Sequence, residues 1–224
     1  MADHQNPSEE NFVNFFKGWL VRQQSFLKQL LHSISSDTTN QQQQTSLIQQ
    51  VLAHYQEYYD EKAKIARNDV FLLFCPLWLS SFERSLLWVA GYKPSLVFKI
   101  VDGAVKDLTA EQTLRMEEVK AKTGKKERAL METLVRFQES VAAPPMLALV
   151  RQVGRLTDGE ISSLDLTIEA LKTAMLQVIE GVDSLCKSTL LSFIFKQEGG
   201  DCKGTRKEQQ LAWCEINGKG MFSQ

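Results

Sequence analysis

The sequence predicts an all-α protein, a single multi-helix bundle of long antiparallel helices with a flexible C-terminal tail. Three observations predict it. Apolar residues recur at helical spacing over runs of many turns. Prolines are sparse and stand at run ends or breaks, as Pro7, Pro76, Pro94 and the Pro144-Pro145 pair. No segment combines strict alternation with the turn signals of a strand series.

From Phe12 the apolar residues Phe15, Phe16, Trp19, Leu20, Phe26, Leu27, Leu30, Leu31 and Ile34 form one stripe, which predicts an amphipathic helix. The stripe runs out in "SSDTTNQQQQTS", and Ser35 to Gln44 reads as a solvated loop because it has no apolar face. A second helix follows on Leu47, Ile48, Val51, Leu52, Tyr55, Tyr58, Tyr59 and Ile65. Pro76 then starts or kinks a helix, and "WLSSFERSLLWVAGYKPS" reads as a helix of its own with Trp78, Phe82, Leu86 and Val89 on one face and Gly91 as its stop. In this reading Trp78, Phe82 and Trp88 anchor the core, and Pro94 opens the next helix with its φ already set.

Thr109, three residues before Gln112, has capping-box spacing and opens a charged helix. Glu111-Arg115 and Glu118-Lys122 are acid-before-base pairs at i, i+4 that support it, and Gly124 marks a place where it can bend. "AAPP" ends it. The last element, Ile161 to about Lys196, carries Ile161, Leu164, Ile168, Leu171, Met175, Val178, Val182 and Leu185 in alternating steps of three and four, a seam that packs lengthwise along a neighbour, read as a helix of the same bundle against the alternative of a coiled-coil dimer. After Gln197 the periodicity stops and glycines accumulate. The expected organisation is a disordered leader over 1–9, a helical domain over 10–197 and a disordered tail over 198–224, with Trp213 as the tail's one docking feature.

Composition limits the function. The 224 residues are 43% hydrophobic, enough for one full core. Twenty-six Lys and Arg against 27 Asp and Glu leave a net charge of −1, so no global field draws in nucleic acid or an anionic membrane. Cys75, Cys186, Cys202 and Cys214 lack CxxC spacing, and Cys75 and Cys186 sit among apolar neighbours as buried small hydrophobes would. A reducing compartment, nucleus or cytoplasm, is expected. "MADHQNPSEE" lacks the basic start and apolar core of a secretory signal. The longest apolar run, Val70 to Leu79, contains Pro76 and is about half of the ~20 residues that span a bilayer.

Little chemistry is offered. His4, His32 and His54 are scattered, with no second histidine at i+3 or i+4, so no metal site is expected and His32 and His54 read as surface or helix-edge residues. Neither a nucleophile elbow nor a phosphate loop occurs, and Glu117-Glu118 read as solvated acids rather than an acid/base pair. Two binding features stand out. The run Lys120, Lys122, Lys125, Lys126 and Arg128 is a basic patch suited to phosphates or an acidic partner, against the simpler reading of a solvated face. The first helix, with Trp19 among Lys17, Arg22 and Lys28, has the pattern of a calmodulin target, against the simpler reading of core packing.

Tyr55, Tyr58, Tyr59, Lys62, Asp69, Val70, Phe71, Trp78, Glu83, Arg84, Trp88, Gly91, Tyr92, Pro94 and Ser95 together form a spaced pattern. It resembles the seed-dormancy control domain of the Delay of Germination proteins and of the C-terminal half of TGA-type bZIP transcription factors. "FVNFFKGWLVRQQSFLKQL" is similar to the family's opening helix and "LKTAMLQVIEGVDSLCKSTLLSFIFKQ" to its closing helix, so the resemblance spans about residues 10 to 197. Cys186 stands where the family usually has arginine. With no basic region and zipper ahead of the domain, sequence-specific DNA binding is not expected. Haem binding in the family's type member uses histidines near the C-terminus; none follows His54 here, and no cofactor is expected.

The resemblance implies a non-catalytic plant regulatory protein acting through protein partners in abscisic acid, dormancy or transcriptional signalling, with clade A type 2C protein phosphatases or transcriptional co-regulators as candidates. The candidate partner-binding residues are Trp78, Glu83, Arg84, Trp88, Gly91, Tyr92, Lys93 and Pro94. The alternative is a helical sensor that binds an apolar small molecule in its aromatic core.

Overall fold

A computed structural model of the chain describes residues 7–35, 41–104, 108–142 and 158–195. The architecture is all-α. The helices are α1 (Pro7–Ser35), α2 (Gln41–Asn68), α3 (Phe71–Phe74), α4 (Ser81–Leu86), α5 (Ser95–Ala104), α6 (Ala110–Ala142) and α7 (Asp158–Phe195). The expected tail over 198–224, with Trp213, lies outside the described residues, as do the end of "AAPP" and residues 1–6 of the leader.

Four long helices make the bundle, and successive neighbours run antiparallel. Along α1 and α2, Phe16 meets Tyr58, Trp19 meets His54, and Leu30 shares a cluster with Leu47 and Val51. Along α2 and α7, Ile65 lies with Met175 and Ile179, and Tyr59 with Val182 and Cys186. Helix α6 runs back along α7, where Thr123 and Thr189 share a buried hydroxyl contact at 3.3 Å. At Gly181 the two helices come so close that an added Cβ would lie 2.6 Å from Leu130 Cδ2. The seam read from the sequence is real: Met175, Val178, Val182 and Leu185 are all buried.

The first helix starts at Pro7, an accepted first-turn position because its missing N–H has no helical partner there. Gln41 to Gln44, expected as loop, belong to α2. Glutamine has good helix propensity, so an apolar face is not needed to extend a helix by a turn. Thr109 forms the expected capping box, its N–H donating to Gln112 Oε1 at 2.9 Å and its Oγ1 accepting from Gln112 N at 3.2 Å. Helix α6 passes through Gly124 without a break. Glu111 pairs with Arg115 as expected, but Glu118 and Lys122 do not pair; Lys120 instead bridges Glu117 and Asp102 of α5. No described helix is long and apolar enough to cross a membrane.

Two burial expectations change. Cys75 is exposed, because the chain leaves α3 at that residue. Cys186 is buried as expected. His54 is buried rather than at a helix edge, stacked on the Trp19 ring at 4.5 Å. Trp19 itself is 4% exposed, and its Nε1 donates to the His54 carbonyl at 2.9 Å. The stripe Phe12, Phe16, Trp19 and Leu30 that would anchor calmodulin is therefore covered within the fold.

Candidate interaction surface

The segment between α2 and α5 is where the expected helix fails. Of the stretch from Trp78 to Gly91, expected as one helix, only Ser81 to Leu86 is helical. Ser80 is the reason it starts there: its Oγ accepts from Glu83 N at 3.2 Å, and its N–H donates to Glu83 Oε2 at 2.7 Å, a complete capping box. Arg84 then donates to the Leu79 carbonyl at 2.6 Å and to Ser81 Oγ at 3.2 Å. Glu83 and Arg84, expected as partner contacts, thus shape their own turn. The helix ends at Leu87, whose ψ of 135° is extended. Gly91 is not the stop and does not take positive φ; Ala90 does, at 47°. Trp88 N–H closes the turn onto the Gly91 carbonyl at 2.8 Å.

These turns divide the apolar residues. Leu79 and Val89 go inward. Trp78 packs on Phe12 with ring centres 5.1 Å apart, and Trp88 lies against the Tyr59 and Val182 cluster, both partly buried. Trp88 Nε1 is buried with no hydrogen-bond partner among the described residues. Phe82, expected in the core, is 72% exposed, and Leu77 is 66% exposed. Leu77 precedes the capping box and Phe82 lies within it, so the side that faces solvent is set by the cap and the turns around a short helix and not by a long 3.6-residue period. Pro94 is fully buried at the entry to α5, where Leu96 N–H meets the Lys93 carbonyl at 3.0 Å.

Beneath this segment lies an ion pair that sequence reasoning missed. Lys62 Nζ donates to Asp183 Oδ1 at 2.6 Å, with side chains 3% and 12% exposed. Burial opposes the Lys62 charge, but the Asp183 carboxylate outweighs it and holds the ammonium above the usual lysine value. Burial in turn pushes the Asp183 carboxyl up against the pull of Lys62. A Cβ at Gly91 would stand 3.8 Å from Lys62 Nζ, which places the turn directly over the pair. Cys186 Sγ points to the Tyr92 carbonyl at 3.9 Å, and burial pushes the thiol up to about 12. It is a protonated packing group rather than a nucleophile. A signal existed: Lys62 stands three or four residues from Tyr58, Tyr59, Ile65 and Ala66, on the buried side of α2, and Asp183 follows Val182 in the seam.

Lys62, Asp183 and Gly91 thus join α2, α7 and the turn before α5, while Tyr92 and Cys186 pack beside them. The basic patch lies apart on α6, with Lys122, Lys125, Lys126 and Arg128 exposed and Lys120 held by acids. Among the described residues no group of His, Cys, Asp and Glu is placed to hold a metal ion.

The family profile described as DOG1, seed dormancy control, matches residues 26–102. The protein RESPONSE TO ABA AND SALT 1 of Arabidopsis thaliana is 39% identical over 191 residues, covering 82% of this chain and 83% of that protein. The Arabidopsis protein ZW2 is 36% identical over 185 residues, covering 80% of this chain and 82% of its own length. Transcription factor TGA5 of the same plant is 28% identical over 127 residues, 57% of this chain and 38% of the factor. The profile covers α2, the capped turns and most of α5, and the two relatives at 39% and 36% identity match over about four fifths of this chain and of their own length: the chain belongs to the seed dormancy control (DOG1) family.

Proposed function

We propose that this chain is a non-catalytic plant regulatory protein that acts through protein partners in signalling of the abscisic acid, salt or dormancy type, in the nucleus, the cytoplasm or both. Its similarity to a protein named for response to ABA and salt supports the process, and its similarity to TGA factors supports a link to transcription. The partner class implied by the family is a type 2C protein phosphatase or a transcriptional co-regulator.

The observation that carries the interaction surface is the outward placement of Leu77, just before the Ser80-Glu83 box, and of Phe82 within it. Two large apolar side chains that far into solvent add nothing to the core, and a rigid turn presents them with little entropy to lose on docking. Trp78, Trp88, Tyr92, Lys93 and Pro94 support the turn from behind. Glu83, Arg84 and Gly91 fix its course.

The test is the L77D/F82D variant, compared with wild type for binding to purified type 2C phosphatases and co-regulators. Its melt should stay within about 0.5 kcal/mol of wild type, as for surface positions. Its partner affinity should fall about tenfold or more, the scale of a lost hot spot. Undiminished binding of every partner would remove the function from this segment.

A further inference from the structure

A second surface is built on α6, and it is electrostatic. Lys122, Lys125, Lys126 and Arg128 occupy seven consecutive positions, are all exposed, and form no ion pair among the described residues. The buried stripe of the helix runs through Val119, Thr123 and Glu127, and the four cations lie outside it, exposed around the solvent side over about one and a half turns.

Inside the run, the structure withdraws the acid that would neutralise them. Glu127, the one acid inside the run, is 7% exposed, and its Oε1 accepts from Ser95 N at 2.6 Å. Asp102 and Glu117 are both taken by Lys120, at 2.9 Å and 2.8 Å. The Arg128 guanidinium lies across Gly124, 3.7 Å from where a Cβ would be, in an otherwise open position. Four exposed cations on one helix, with no ion pair among the described residues, are an excess that folding itself leaves unused.

We propose that this exposed face of α6 docks a short phosphorylated, acidic segment of a partner protein. A phosphate group supplies two negative charges and three acceptor oxygens, which suits an arginine fork beside several lysines. The site is short because acids bracket it, Glu117 and Glu118 before the cations and Glu132 after them. A long polyanion tracking the helix would meet those carboxylates, and the net charge of −1 supplies no wider attraction. The band itself carries only Gly124 and Ala129 between the cations, without the aromatic or leucine side chains that insert into a membrane interface. This surface is distinct from Leu77 and Phe82 and stands or falls separately.

The experiment measures fluorescence anisotropy of the full chain with four probes: a short peptide holding one phosphoserine between glutamates, the same peptide with serine, a duplex DNA, and vesicles of phosphatidylcholine with phosphatidylserine. The phosphopeptide should bind more tightly than the serine peptide by about tenfold and weaken between about 50 and 200 mM salt. The K122A/K125A/K126A/R128A variant should lose that difference with an unchanged melt, since none of the four side chains is buried. Restoring Arg128 alone should recover part of it. Equal affinity for the two peptides, tighter binding of DNA or vesicles through the same residues, or a variant that binds like wild type would each overturn the proposal.

Discussion

The long helices and the capped turns use the same residue types to opposite ends. In the α1, α2 and α7 core, a helical period places each apolar residue, and even the charged pair Lys62 and Asp183 is drawn inside by the positions it holds. In the turns from Cys75 to Pro94, local hydrogen bonds set direction instead. Ser80, Glu83 and Arg84 steer the chain, so that Leu79 is buried while Phe82, three residues on, faces water. Packing decides orientation where elements are long, and caps decide it where they are short.

The core side of this contrast breaks most severely at the ion pair. Lys62→Met leaves Asp183 buried without its cation, and Asp183→Leu leaves Lys62 without its anion. Each single variant should lose about 3–5 kcal/mol, whereas the double variant K62M/D183L should recover most of that loss, because two apolar groups leave no buried charge. Denaturant unfolding of all four proteins gives the coupling energy directly. Single variants that cost less than about 1 kcal/mol would show that water reaches the pair. Gly91 sits over Lys62, so loss of the pair should also loosen the turn, read as faster amide exchange at Trp88.

How far the sequence revealed this follows the same division. The seam from Met175 to Leu185, the stripe through Phe12, Phe16 and Trp19, and the Thr109 box were legible because period and spacing carry over many residues. The helix expected from Trp78 to Val89 was not, since its apolar spacing fits a helical face by coincidence while "SSFE" holds the competing signal of a cap. Lys62 belongs to the spaced family pattern and sits on the buried side of α2. Its partner is 121 residues away, and no local rule pairs two charges at that separation. Cys75 and His54 exchanged their expected places because neighbours in sequence are a weak guide to neighbours in space.

A second break of the core is graded by pH. Burial lowers the His54 pKa to about 4, with the nearby Arg22 charge adding to the effect. The folded protein therefore keeps this imidazole neutral where the unfolded chain, near 6.5, is already taking a proton. Its contribution is fully present above pH about 6.5 and is lost as pH falls from there toward 4, by at most about 3 kcal/mol. His54→Phe keeps a ring against Trp19 and removes the titration. Unfolding free energies from pH 7 to 4 should fall more steeply for wild type than for the variant, and parallel curves would mean that the imidazole charges in place.

The smallest effect belongs to the turn. Ala90 holds a φ of 47°, a left-handed conformation that costs an alanine roughly 1–2 kcal/mol relative to glycine. Ala90→Gly relieves that strain but adds freedom to the unfolded chain, worth about 0.4–1 kcal/mol, and removes a methyl packed at the edge of the first core cluster. The net should be a gain below about 1 kcal/mol, a rise of a few degrees at most in the melt. Ala90→Val moves the other way, because a β-branched side chain at positive φ clashes with its own backbone, and should cost more than the glycine gains. If both variants melt like wild type, Ala90 has relaxed out of the left-handed region in solution, and the turn that holds Trp88 over the buried pair is set by the Trp88-Gly91 hydrogen bond alone.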